Sequence, residues 1–194
     1  MTRTEHAGWR SRGYLPHLDV PHIVQHVVFR LADSLPASVH DRIVAISAAG
    51  RADAVDDALD RGLGHADLAI PEIAALVQNA LLHFDGERYA VVAWCIMPNH
   101  VHVLVEPFEG HRLDAIVRNW KSFAAHAANR ALRRAGAFWA PEYFDRYVRD
   151  DRHLAAVLAY IEDNPVKAGL CSDKSDWPYS SAWSEWGGRD ARAP

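Results

Sequence analysis

The chain has 194 residues, two cysteines and a net charge of −4, with 49% hydrophobic and 24% charged residues. Those proportions suit one globular domain with a full core, and two cysteines exclude a disulfide framework or a four-thiolate zinc site. No apolar run approaches the roughly 20 residues of a membrane helix, and Met1 to His6 lacks the apolar segment of a secretion signal, so a cytoplasmic protein is expected.

The charge is unevenly placed. From Arg112 to Arg152 nine Arg and Lys face five acids, a local +4 that leaves −8 for the rest. Between Asp33 and Asp67 the balance reverses, with seven aspartates against Arg42, Arg51 and Arg61. Phosphates respond to local basic surface within a Debye length, so the global charge does not exclude a nucleic-acid partner.

In chain order, residues 1–21 carry Gly8, Gly13, Pro16 and Pro21 among Trp9, Arg10, Arg12 and Tyr14, which predicts an irregular arm. His22 to Leu31 is rich in β-branched and aromatic residues and predicts a first strand. Residues 38–60 have a helical period, opening an acidic insertion over about 38–69 in which Asp53 to Asp60 forms a solvated face. Pro71 sits where a helix starts, and Ile73, Leu76, Val77, Ala80, Leu81 and Phe84 give its apolar stripe. Arg88 to Ile96 and His100 to Glu106 read as a hairpin around the Met97-Pro98-Asn99 turn. Leu113 to Ala135 predicts a long helix, and Arg149 to Asp163 another, stopped by Asn164-Pro165 because proline cannot donate to a helix. An aromatic tail over about 171–194, with Trp177, Tyr179 and Trp183, is expected to clasp the core. Interleaved helices and an antiparallel hairpin predict an α+β fold, a central antiparallel sheet with helices packed on it.

Two positions stand out chemically. In Asn99-His100-Val101-His102-Val103-Leu104-Val105, residues two apart share a strand face, so His100 and His102 point one way and the valines the other. Two imidazoles side by side on a strand can grip one divalent metal, and the same pattern also fits two buried histidines bonded to neighbours. On the last helix Leu154, Val157, Leu158 and Ile161 form the buried stripe. Tyr160 borders that stripe, with Asn164 one turn later on the same face. By pattern alone Tyr160 is also a plausible core tyrosine with its hydroxyl at the rim.

Pro98-Asn99-His100-Val101-His102, Tyr160-Ile161-Glu162-Asp163-Asn164-Pro165-Val166-Lys167-Ala168-Gly169-Leu170 and Trp177-Pro178-Tyr179-Ser180-Ser181 together resemble the REP-associated tyrosine transposases. These belong to the single-tyrosine HUH endonucleases of bacteria. The resemblance runs from about Gly8 to Trp183, and the acidic insertion is longer than the family core. It implies a ferredoxin-like sheet, Tyr160 as nucleophile, and His100, His102 and Asn164 as ligands of Mg²⁺ or Mn²⁺. It further implies a hairpin or single-stranded DNA substrate, a 5′-phosphotyrosine intermediate, and a protein that works on the nucleoid as a monomer or homodimer.

For DNA contacts, Arg118, Trp120 and Lys121 combine cations with an aromatic ring, and Arg130, Arg133 and Arg134 follow on the same helix. Arg10 and Arg12 in the arm are further candidates, and a core position for Trp120 is the competing reading. Two other function classes remain open: a hairpin-binding regulator without turnover, and an unrelated metallohydrolase in which Tyr160 only packs. Among the other tyrosines, Tyr147 is a minor competitor because Asp151 follows four residues later, whereas Tyr143 and Tyr179 have no such partner.

Overall fold

The computed structural model describes residues 9–11, 16–36, 39, 54–55, 58–59 and 62–184. Four strands form one antiparallel sheet in the order β4-β5-β3-β6: β3 (Gln25–Arg30), β4 (Tyr89–Ile96), β5 (His100–Pro107) and β6 (Phe144–Tyr147). The expected α+β class is borne out. Three helices belong to it among the described residues: α1 (Pro71–Leu82), α2 (Leu113–Ala131) and α3 (Asp151–Lys167).

Alternation along β5 divides the core between two faces. Val101, Val103 and Val105 join Val27, Phe29, Trp94 and Ile96 on one face. There α1 contributes Ile73, Val77 and Leu81, and α2 contributes Ile116, Val117, Trp120 and Ala124. Leu104 faces the other way, with Ala93, Cys95 and Met97, against Ile161 of α3. Beside them on that second face Val28 packs with Val55, Ala58 and Leu59 of the insertion. Both sheet faces are therefore covered, which is why β5 is buried at seven of its eight positions.

Several boundaries differ from expectation. The part of the arm that is described is not irregular: β1 (Trp9–Ser11) pairs antiparallel with β2 (Pro16–Leu18). Asp19 then ties the arm to the start of α2, accepting from Leu113 N at 3.1 Å and pairing with Arg112. The strand expected from His22 begins at Gln25, because His22 takes a positive φ of 58° in a turn. The helix expected to reach Ala135 ends at Ala131, and Arg133 leaves the helical path with φ 52°. Strand β6 lies in what the sequence presents as a connector; its edge pairing to β3 needs only four residues. Most of the expected helix over 38–60 lies outside the described residues, and residues 39, 54, 55, 58 and 59 have helical backbone.

The helix expected to stop at Asn164-Pro165 instead runs to Lys167. A proline costs the one hydrogen bond to the carbonyl four residues back, and so close to the C-terminus little helix depends on it. The helix then closes on Gly169, whose φ is +71°. Leu170 N donates to Pro165 O at 2.9 Å and Gly169 N to Val166 O at 3.0 Å, the paired bonds of a Schellman cap.

The described part of the tail runs along β4. Trp177 Nε1 donates to Ile96 O at 3.1 Å, Ile96 N donates to Tyr179 O at 3.0 Å, and Ser181 N donates to Trp94 O at 2.9 Å. It thereby occupies the outer edge of β4, a row of backbone groups that would otherwise stand open.

Candidate metal and nucleophile centre

His100 and His102 are completely buried on the α3 face of the central strand β5. Their Nε2 atoms lie 2.9 Å apart. Two cis ligands of an octahedral ion, each about 2.1 Å from it, stand about 3.0 Å apart, so this convergence fits one cation. Burial pulls the His100 pKa down to about 3 and that of His102 well below its ordinary value. Both imidazoles are neutral at neutral pH, the form that ligates metal.

Helix α3 delivers the third side chain. Asp150 caps it by accepting from His153 N at 2.8 Å, and Ile161 anchors it to the sheet. Asn164, also completely buried, places its amide 3.1 Å from His102 Nε2, and its Oδ1 has no hydrogen-bond partner. A buried amide oxygen left unpaired is costly. Half a turn about the terminal bond exchanges the amide's two ends and points Oδ1 at the space the histidines share. Among the described residues no three His, Cys, Asp or Glu side chains gather as a metal cluster. The donor set that fits is two imidazole nitrogens and this amide oxygen, a mixture suited to Mg²⁺ or Mn²⁺.

Tyr160 sits one turn before Asn164. Its ring stands edge-on to His102, with centroids 5.7 Å apart at 86°, and edge-on to His26 at 6.1 Å. Lys167, seven residues on and so on the same helix face, holds Nζ 4.4 Å from the Tyr160 ring centroid. His100, His102, Tyr160 and Asn164 are thus brought together from two elements 60 residues apart. Tyr147 lies on the edge strand β6, 39% exposed, and Tyr179 in the tail on the far side of β4 from β5.

Three neighbours escaped the sequence reading. His26 of β3 stacks on His102, with Nε2 3.0 Å from His102 Nδ1, the nitrogen turned away from His100. Burial, then the charge of Arg146, lowers its pKa to about 4. Strand pairing sets its place: its register partner Leu104 is two residues from His102. Asn99 Oδ1 lies 2.7 Å from His100 Nδ1. Lys167 carries the periodicity of Tyr160 and Asn164, seven and three residues back.

The expected DNA contacts are placed differently. Trp120 is 3% exposed, in the core, and donates from Nε1 to Tyr89 Oη at 2.8 Å, so no base can stack on it. Lys121 donates to Ala140 O and Pro141 O at 2.7 and 2.9 Å, and burial lowers its pKa to about 8; it caps a loop. Arg118 pairs with Asp114 and Arg134 with Asp67, while Arg130 and Arg133 are exposed. All six belong to α2 or its C-terminal turn, on the sheet face opposite His100 and His102. An amphipathic pattern tells which residues face the core but not which side of the sheet the helix takes. The side chain of Arg10, and Arg12 entirely, lie outside the described residues.

Comparison with known proteins agrees with this arrangement. Residues 72–164, from α1 to Asn164, match the family described as transposase IS200 like. A Haemophilus influenzae protein assigned by name to the REP-associated tyrosine transposases is 32% identical over 122 residues, 58% of this chain and 68% of that one. A REP-associated tyrosine transposase of Escherichia coli K12 is 26% identical over 110 residues, 55% of this chain and 62% of the relative. The fold is shared with the solved structure of a REP-associated tyrosine transposase bound to a REP hairpin, with a TM-score of 0.55 and 16% identity over 84% of this chain and 79% of that one. With the histidine pair, the tyrosine and the helical asparagine in place, the chain belongs to the REP-associated tyrosine transposases, within the IS200-like transposases.

Proposed function

We propose that this chain nicks and rejoins single-stranded hairpin DNA, with Tyr160 as the nucleophile and a divalent cation held by His100, His102 and Asn164. The observation that carries the reading is the convergence of those four side chains, with two Nε2 atoms 2.9 Å apart and the tyrosine ring against one of them. The REP hairpin in the structural relative supports a hairpin partner.

Tyr160 Oη attacks the scissile phosphorus, forming a phosphotyrosine ester to the 5′ side and breaking the bond to the 3′ oxygen. The tyrosine loses its proton, and the departing 3′ oxygen takes one up to become a free hydroxyl. A cation held by His100, His102 and Asn164 would neutralise charge on the non-bridging phosphate oxygens. Rigid placement on α3 fixes the line of attack, since Ile161 and Asn164, one and four residues after the tyrosine, are buried. The ammonium of Lys167 stabilises negative charge as it develops on the tyrosine oxygen and phosphate. The ester keeps the energy of the phosphodiester, so attack by a 3′ hydroxyl reverses the step and rejoins the strand without a nucleotide cofactor.

DNA on this reading runs past α3 and β6, where Lys167 and Arg146 lie, and not along α2. Incubating the full chain with labelled hairpin and duplex DNAs in Mn²⁺ or EDTA tests the proposal. A denaturant-resistant protein–DNA adduct on hairpins, lost in EDTA, is expected. Hairpin binding with no adduct under any metal condition would instead favour a regulator without turnover.

A further inference from the structure

We infer that Asn99 is a positioning residue that couples docking of the acidic insertion to the tautomer of His100. The inference rests on the metal reading above for its consequence, but its geometry stands alone. Asn99 is 1% exposed, at the turn between β4 and β5. Its Nδ2 lies 3.1 Å from Leu59 O and 3.0 Å from Leu63 O. Its Oδ1 lies 2.7 Å from His100 Nδ1.

Each step follows from which atoms can donate. Carbonyl oxygens only accept, so the end of the Asn99 amide facing Leu59 and Leu63 must be the NH₂. The oxygen is thereby turned to His100 Nδ1, and it too can only accept, so Nδ1 carries the proton. A neutral imidazole has a single N–H, so His100 Nε2 keeps its lone pair. That is the nitrogen facing His102 Nε2.

The insertion is held at this place by more than Asn99. Leu59 is buried against Val28, one strand position across from His102. Asp33 accepts from His65 N at 2.9 Å, and Leu68 N donates to Pro98 O at 3.1 Å. If the insertion leaves, nothing fixes the amide. Rotation would then offer NH₂ to His100 Nδ1, shift the proton to Nε2 and remove the metal-binding lone pair. The carbonyls of Leu59 and Leu63 thus hold the Asn99 amide, and that contact makes His100 competent to ligate.

Nitrogen NMR of the metal-free full chain, which shows which ring nitrogen bears the proton, is the test, together with calorimetric Mn²⁺ titration. The wild type should show His100 protonated on Nδ1. Asn99→Leu should show mixed tautomers and a Mn²⁺ affinity lower by about 10–100-fold. Asn99→Asp keeps an acceptor for His100 but sets an oxygen against two carbonyls. It should retain the Nδ1–H form while hydrogen exchange speeds up in residues 54–68. A wild-type His100 protonated on Nε2, or an Asn99→Leu protein with unchanged tautomer and affinity, would overturn the inference. A wild type with Nδ1–H on His100 that binds no Mn²⁺ upholds the positioning and overturns the metal reading alone. Should Asn99→Leu fail to fold, the wild-type and Asn99→Asp spectra decide.

Discussion

A buried amide oxygen with no partner is a costly thing to keep, and Asn164 Oδ1 is one, beside two neutral imidazoles. On the proposed reading a cation would give it a partner and lie between the two Nε2 atoms, 2.9 Å apart. His26 belongs to the same set, because its contact with His102 Nδ1 orients that ring. His26→Ala should lower Mn²⁺ affinity by roughly 10–100-fold with little change in the melting temperature of the metal-free protein. Calorimetric titration against the wild type checks this, and an unchanged affinity would reduce His26 to packing. The histidine pair was legible in the sequence, since strand alternation alone puts both on one face. His26 and Asn99 were not, because their parts depend on strand pairing and on a carbonyl brought from the insertion.

Among elements, α3 holds Tyr160 and Asn164, the residues of the proposed chemistry, and α2 packs the core. Trp120 shows why charge and aromatic spacing misled: the helix stripe needs a large apolar residue there, and the indole N–H is spent on Tyr89. Trp120→Leu should cost ~3 kcal/mol in stability, from lost packing and a Tyr89 hydroxyl deprived of its donor. Hairpin affinity measured where the variant is folded should stay within about twofold of the wild type, since a base-stacking residue would lose ~1–3 kcal/mol. A large loss of affinity with unchanged melting would restore Trp120 to the DNA surface. The helix stop expected at Pro165 failed for a reason of position. Proline penalises the turn before it, and α3 had already gained its packing through Ile161.

For the whole molecule, burying His100 and His102 and half-burying His26 makes stability depend on pH. His26 titrates at about 4 and His100 at about 3, with His102 also lowered, whereas all three return to about 6.5 when unfolded. The unfolded chain therefore binds more protons below pH 6.5. The contribution of these groups is complete above that pH and is lost progressively as the pH falls toward 4 and 3. Urea unfolding of metal-free protein should lose roughly 1 kcal/mol per buried histidine between pH 7.5 and 5.5, a range above most carboxylate titration. Equal stability at both would mean that these rings are not held neutral. The α+β architecture was legible from period and hairpin, while the side taken by each helix awaited the sheet order β4-β5-β3-β6.

The central claim is that Tyr160 attacks DNA beside a cation held by His100, His102 and Asn164. Its most direct test is mass spectrometry of the trypsin-digested adduct formed with a labelled hairpin in Mn²⁺, run on wild type, Tyr160→Phe and Tyr147→Phe. The nucleotide is expected on Tyr160 in the wild type and in Tyr147→Phe. No adduct is expected in Tyr160→Phe, whose hairpin affinity stays near that of the wild type. An adduct that persists in Tyr160→Phe and vanishes in Tyr147→Phe would contradict the claim.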